Sequence, residues 1–332
     1  GFTGEQIRIT LTDNGARVAE QELSLRSSPQ SSSVIFQYMP RQEGIRKLSI
    51  TAETLEGEQT TINNTASEFV NVLKNKRSVA IFAGAPSPDV SFITNSLSRE
   101  KGVEVKQYIQ KKDGEFYTAP NRQDVLACEM FILVGFPIAS TPSATIDVIR
   151  DGLESGKPVF FVAAQNTDYE KVKTIQEYLP FTMLSSRNQE FLALPDIRHE
   201  AASSSLLRVY GNEKDMELWN KLPPLYHTET CVRPKPETEV ISTMKINNAP
   251  LKEPLIMTRS FKNSKSVAVT GYGIYRWKLM GYAAEASNDR SDAIDLFDVF
   301  FKNAFRWLSV NQNNKNVRIR TNKKLYSNGE SV

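Results

Sequence analysis

The side chains able to do polar or nucleophilic chemistry are few. The chain has two cysteines, Cys128 and Cys231, and two histidines, His199 and His227. A thiol becomes a strong nucleophile when a nearby imidazole or positive group lowers its pKa. Cys231 follows His227 by four residues, so a Cys231–His227 pair, or a relocated pair built on Cys128, is one chemistry to weigh. Nearness in sequence does not supply hydrogen-bond geometry, and two cysteines far apart also read as small buried hydrophobes. A Cys128–Cys231 disulfide stays open in an oxidising compartment. His199 lies in Asp196-Ile197-Arg198-His199-Glu200, a polar surface loop, and His227 and Cys231 also read as loop residues. Neither cysteine forms a C-x-x-C, and no carboxylates cluster with the histidines, so no metal or cofactor is expected. Gly271-Tyr272-Gly273 lacks the wider G-x-G-x-x-G context and reads as a tight turn, not a dinucleotide site.

The remaining candidate is a place in the chain. Gly156-Lys157-Pro158-Val159-Phe160-Phe161-Val162-Ala163-Ala164-Gln165-Asn166 reads as a short buried strand running into a turn. In an open α/β sheet, ligands and nucleophiles sit on the turn after a central strand. Here that turn holds Ala163 and Ala164, which carry no reactive group. Gly135, Phe136, Ala163, Ala164, Gln165 and Asn166 are expected to converge at the carboxyl edge of the sheet, with Arg276 and Trp277 nearby. Small residues on such turns leave a cleft into which backbone N–H groups point.

Several elements must position these residues. Residues 1–75 alternate in short segments: Gln6–Thr12, Val18–Leu25, Ser33–Tyr38, Lys47–Ala52 and Phe69–Leu73, with an Asp13-Asn14-Gly15 turn. Strands separated by turns at this spacing predict a β-sandwich. Residues 77–310 switch to compact apolar runs alternating with helical patterns. The runs are Val79–Gly84, Val103–Ile109, Cys128–Gly135, Pro158–Val162 and Ser266–Gly271. Asp89 is placed to cap the first helix, Ser143–Ser155 and Asp168–Leu179 read as further helices, and Ala293–Leu308 is a strongly amphipathic last one. Alternation of this kind predicts a doubly wound, mostly parallel α/β sheet. Residues 181–265 are less regular, with strands at Glu239–Met244 and Pro254–Arg259. Residues 315–332 look like the first hairpin of a further, truncated Ig-like β domain.

The order of these pieces resembles the class I glutamine-amidotransferase-like domains of large bacterial envelope proteins, in which an Ig-like module precedes a flavodoxin-like domain. The matching segments are Val79–Gly84, Phe131–Pro137, Ile146–Ala164, Leu222–Tyr226 and Ser266–Trp277. Leu55-Glu56-Gly57-Glu58 followed by Asn63-Asn64 is similar to the late strands of bacterial Ig-like repeats. The resemblance implies a nucleophilic cysteine at Ala163 or Ala164, and a partner histidine near Tyr275–Trp277. The chain has neither.

The totals narrow the class further. A net charge of +3 on 332 residues, with both signs interleaved, gives no concentrated basic face for nucleic acid. No apolar run is long enough for a membrane-spanning helix. No signal peptide is visible, and Gly1-Phe2 does not look like a native start, so residues ahead of it are expected. The expectation is a non-catalytic structural or protein-interaction module of an envelope-anchored bacterial protein, with other domains of the same chain or other proteins as partners. A hydrolase with an unrecognised nucleophile and a small-molecule binder at the carboxyl edge are the alternatives.

Overall fold

A computed structural model describes residues 2–26, 32–38, 40, 44–58, 60–72, 77–212, 214–279 and 294–310. They fall in two compact units, one within Gly1–Asn75 and one within Lys76–Val317. The expected further hairpin at 315–332 lies outside the described residues, as does Ala293.

The first unit holds strands β1 (Gln6–Asp13), β2 (Ala16–Ser24), β3 (Gly44–Ala52) and β4 (Thr65–Val72) in one antiparallel sheet of order β2-β1-β3-β4. Asn14 and Gly15, both at positive φ, make the two-residue hairpin turn between β1 and β2. Buried Asp13 accepts from Arg46 Nε and Tyr38 OH, each at 2.8 Å, and the Arg46 hydrogen bond is the largest influence holding its carboxyl below the ordinary range. Ser33–Tyr38, expected as a strand, carries no ladder. Side chains hold it instead, through Gln21 Nε2 donating to Ile35 O and through Tyr38.

The second unit is built on one sheet of nine strands: β5 (Arg77–Ala83), β6 (Val103–Ile109), β7 (Met130–Val134), β8 (Val159–Val162), β9 (Phe181–Ile197), β10 (Leu225–Pro234), β11 (Thr238–Ile246), β12 (Ala249–Phe261) and β13 (Ser264–Val269). Their order is β10-β9-β11-β12-β13-β8-β7-β5-β6. The joints from β13 to β6 are parallel and those from β13 to β10 antiparallel, so the sheet is mixed rather than mostly parallel. The parallel half was legible because its strands are buried on both faces and read as unbroken apolar runs. The antiparallel half is less uniform: β11 and β12 carry buried centres and were legible as strands, but the longest strand, the 17-residue β9, has an exposed centre with no alternation to read.

Helices α1 (Pro88–Ser98), α2 (Arg122–Ala127), α3 (Ser143–Glu154), α4 (Tyr169–Val172), α5 (Lys214–Trp219), α6 (from residue 275, described to 279) and α7 (Leu296–Ser309) complete the unit. One face of the sheet packs Val79 and Ile81 against Ile93 of α1 and Phe297, Phe301 and Leu308 of α7. The other packs Phe82 and Phe131 against Ile146, Ile149 and Leu153 of α3. Ser87, not Asp89, caps α1, its side chain accepting from Val90 N. Asp168 caps α4, but the expected helix to Leu179 stops after one turn and resumes only as a 3₁₀ turn at Gln176–Tyr178. Residue 294 precedes α7, whose buried stripe also includes Phe300.

Candidate functional site

Four of the parallel strands, β5, β7, β8 and β13, end at Ala83, Val134, Val162 and Val269, and the next residue of each continues the sheet ladder. Gly84 N donates to Val134 O at 3.1 Å, Gly135 N to Val162 O at 2.8 Å, Ala163 N to Val269 O at 2.9 Å and Thr270 N to Leu255 O at 3.0 Å. One step further, Ala164 N donates to Thr167 Oγ1 at 2.9 Å. The N–H groups of Gly135, Ala163 and Ala164 are therefore all consumed inside the protein.

Close backbone approach seals the same place. A Cβ on Gly84 would stand 2.1 Å from Gly135 O, and one on Gly135, whose φ is +55°, would stand 2.5 Å from Ala164 Cβ. Both positions require glycine. The cis peptide Phe136–Pro137 turns the chain, and Asp168 N donates to Pro137 O. Phe136 is buried with its ring centroid 5.5 Å from that of Phe82. Ala163 is buried as well, while Gln165 and Asn166 are exposed at the tip.

The structure thus gathers Gly135, Ala164 and Asn166, with Phe136 and Ala163 beneath them. Arg276 and Trp277 turn elsewhere: Arg276 Nη1 donates to Pro224 O, and its guanidinium lies 5.2 Å from the Tyr226 ring. Trp277 Nε1 donates to Pro223 O, and its indole packs on Phe300 in the cluster on the opposite face of the sheet from Phe136 and Ala163. Buried Asp89 accepts from Gly273 N at 2.7 Å and Tyr275 N at 2.9 Å, fastening the turn after β13 to α1. Burial raises its pKa against the pull of these bonds. Gly273 at φ +79° supplies the left-handed step of that turn.

Sequence reasoning missed a polar group beside this edge. Thr228 and Thr230 Oγ1 lie 2.7 Å apart, and Ser186 Oγ lies 2.9 Å from Thr230. Near them lies the buried Tyr169 hydroxyl; burial pushes its pKa up to about 12, against the opposing pull of Thr230 and Thr228. The Tyr272 hydroxyl donates to Glu190. The only sequence sign was Thr228 and Thr230 two apart, on one face of a strand.

His227 and Cys231 both belong to β10, not to a loop. Four strand residues place their backbones roughly 13 Å apart, too far for a thiol–imidazole hydrogen bond. His227 is buried, with Nδ1 against Thr228 O and Nε2 3.2 Å from Thr270 Oγ1, and burial lowers its pKa to about 4. Cys128 is buried, its thiol donating to Asp124 O and pushed up in pKa by burial; Cys231 is exposed, and both thiols are free. His199 is exposed at the start of a 3₁₀ turn. Among the described residues no three His, Cys, Asp or Glu side chains are grouped to hold a metal, and no helix is long and apolar enough to cross a membrane.

No family model and no curated protein matches the chain. Solved structures similar to it include a ThuA-like protein from Parabacteroides merdae, at 12% identity and TM-score 0.42 over 70% of this chain and 90% of that one. PurLQS from Thermotoga maritima is similar at 11% identity and TM-score 0.40, over 70% and 99%. The glutaminase domain of CTPS from Trypanosoma brucei is similar at 11% identity and TM-score 0.36, over 70% and 94%.

Proposed function

We propose that the α/β unit is a non-catalytic interaction module, an amidotransferase-like domain without amidotransferase chemistry. One observation carries the reading. At the turn where a nucleophile and its oxyanion donors would stand, the side chains are those of Ala163 and Ala164, and the N–H groups of Gly135, Ala163 and Ala164 are all spent on internal acceptors. Acyl transfer needs donors aimed at a developing oxyanion, and a turn that has used its donors offers none. The test is ammonia release from glutamine, run beside labelling with thiol- and hydroxyl-directed electrophilic probes. The expected result is no turnover above buffer and no activated nucleophile. Glutamine hydrolysis that disappears in Cys231→Ala or His227→Gln overturns the proposal.

The wider context belongs to the same proposal. The first unit is read as Ig-like, and the chain as part of a larger envelope-anchored bacterial protein whose other domains or partner proteins the module engages. Support comes from the resemblance in segment order and from the spacing of strands and turns in residues 1–75. Protease accessibility of the full-length gene product in intact and permeabilised cells tests it, and a cytoplasmic product overturns it.

A further inference from the structure

The antiparallel half of the sheet holds a cavity of about 590 Å³ between β9, β10 and the β11–β12 hairpin. That volume is in the range of small-molecule sites. Its apolar lining comes from Phe191, Met244, Ile246 and Leu251. Its charged lining is unbalanced: three carboxylates, Glu190, Glu229 and Glu253, stand against the single guanidinium of Arg187. Arg187 is already directed at Glu229, 4.0 Å away, and Glu190 accepts from Tyr272. Glu253 is different. It is half-buried beside the apolar lining, and among the described residues it has no ion pair or hydrogen bond.

We propose that this cavity binds a small organic cation with an apolar body, an aryl or alkyl amine, with Glu253 as its counter-charge. A half-buried carboxylate over an apolar surface gains most from a partner that brings both a charge and a hydrocarbon surface. His227 lines the same cavity and lies close enough to Glu253 to feel its charge. Its ring nitrogens are engaged by Thr228 O and Thr270 Oγ1, and burial keeps it uncharged at neutral pH, so it neither neutralises Glu253 nor repels a cation. The stem of Leu251 and the rings of Phe191 and His227, 5.2 Å apart, offer the apolar body its contact. The proposal is independent of whether the turn at Ala163 is inert.

The experiment uses the whole chain with methyl-labelled Met, Ile and Leu, titrated with 2-phenylethylamine, its neutral analogue 2-phenylethanol and the anion 3-phenylpropanoate. The amine is expected to shift the Met244, Ile246 and Leu251 methyls in a saturable way and to bind about 10-fold tighter than the alcohol. Glu253→Gln should remove that advantage while leaving the alcohol's affinity unchanged. Leu251→Arg, which places a cation of its own in the cavity, should abolish amine binding and supplies a second variant if the first folds poorly. An amine that binds no better than the alcohol, an anion that binds best, an unchanged E253Q, or no saturable shift at all overturns the proposal.

Discussion

Gly135→Ala tests the closed turn directly. Two costs are built into the site. The backbone there has φ +55°, which an L side chain adopts at about 1–2 kcal/mol. The added Cβ would stand 2.5 Å from Ala164 Cβ, a distance that forces a shift. Overpacking of this kind costs about 1–3 kcal/mol, so G135A should destabilise by about 2–5 kcal/mol. Ala164→Gly removes the atom in the way. The remaining neighbours of the new methyl, Asn166 Oδ1 at 3.5 Å and Ala164 Cα at 3.8 Å, are ordinary contacts. The double variant G135A/A164G should therefore recover the crowding part, with a coupling of at least about 1 kcal/mol. Urea unfolding followed by tryptophan fluorescence is the assay. All three tryptophans lie in the α/β unit at 219, 277 and 307, so the signal reports that unit alone. A coupling indistinguishable from zero would mean that Ala164 is not seated on Gly135. The turn would then have room for a ligand or a reacting group, and the closed-turn reading would fall.

Three further outcomes follow from buried groups. His227 has a folded pKa near 4 against an ordinary 6.5, so between those values the unfolded chain binds the extra proton. Stability should then fall as pH drops from about 6.5 to 4, by on the order of 3 kcal/mol, and His227→Gln should flatten that slope; an identical pH profile in the variant refutes it. Ellman's reagent should titrate one thiol in the native protein, exposed Cys231, and buried Cys128 only in denaturant; two fast native thiols contradict this. Asp215 is buried, and burial raises its pKa, but the N–H groups of Val209, Tyr210 and Gly211 outweigh that and hold its carboxyl low. Asp215→Ala should cost about 2–4 kcal/mol in the same urea assay, and a loss under about 0.5 kcal/mol would be inconsistent with those bonds.

How legible the fold was depended on how each element meets water. Val79–Ala83, Met130–Val134 and Val159–Val162 are buried on both faces, so each stood out as an apolar run, and parallel pairing followed from the helices between them. The stripe of α7 was equally plain, because Phe297, Phe301, Ala304 and Leu308 recur at helical spacing. In β9, Ser185 to Glu190 are all exposed, and nothing in such a segment distinguishes a strand from a loop. Asp89 stands where a local helix cap would, but its partners, Gly273 and Tyr275, are nearly two hundred residues away. Local pattern could place the turn at Ala163. It could not show that the donors there were already taken, because Ala163 N–H goes to Val269 on β13 and Gly135 N–H reaches Val162 from β7, pairings between segments far apart in sequence; only the Ala164–Thr167 bond is local.

The same contrast bears on where function can reside. A strand buried on both faces holds apolar side chains, so a parallel sheet presents polar chemistry mainly at its strand ends. Here the ends of β7 and β8 are closed by glycine contacts and internal hydrogen bonds. Polar groups have room on the antiparallel extension, where one face carries Ser186, Thr228 and Thr230 and the cavity is lined by His227 and Glu253. Register ties the two together, since His227 pairs with Phe191 across β9 and β10. A one-residue slip there would take His227 out of its pairing with Phe191 and reverse the face each β10 side chain presents. A substitution that loosens the β9–β10 pairing should therefore weaken any amine bound at Glu253 while leaving the turn at Ala163 as it is. Methyl shifts at Leu251 report the first effect, and the Gly135–Ala164 coupling reports the second.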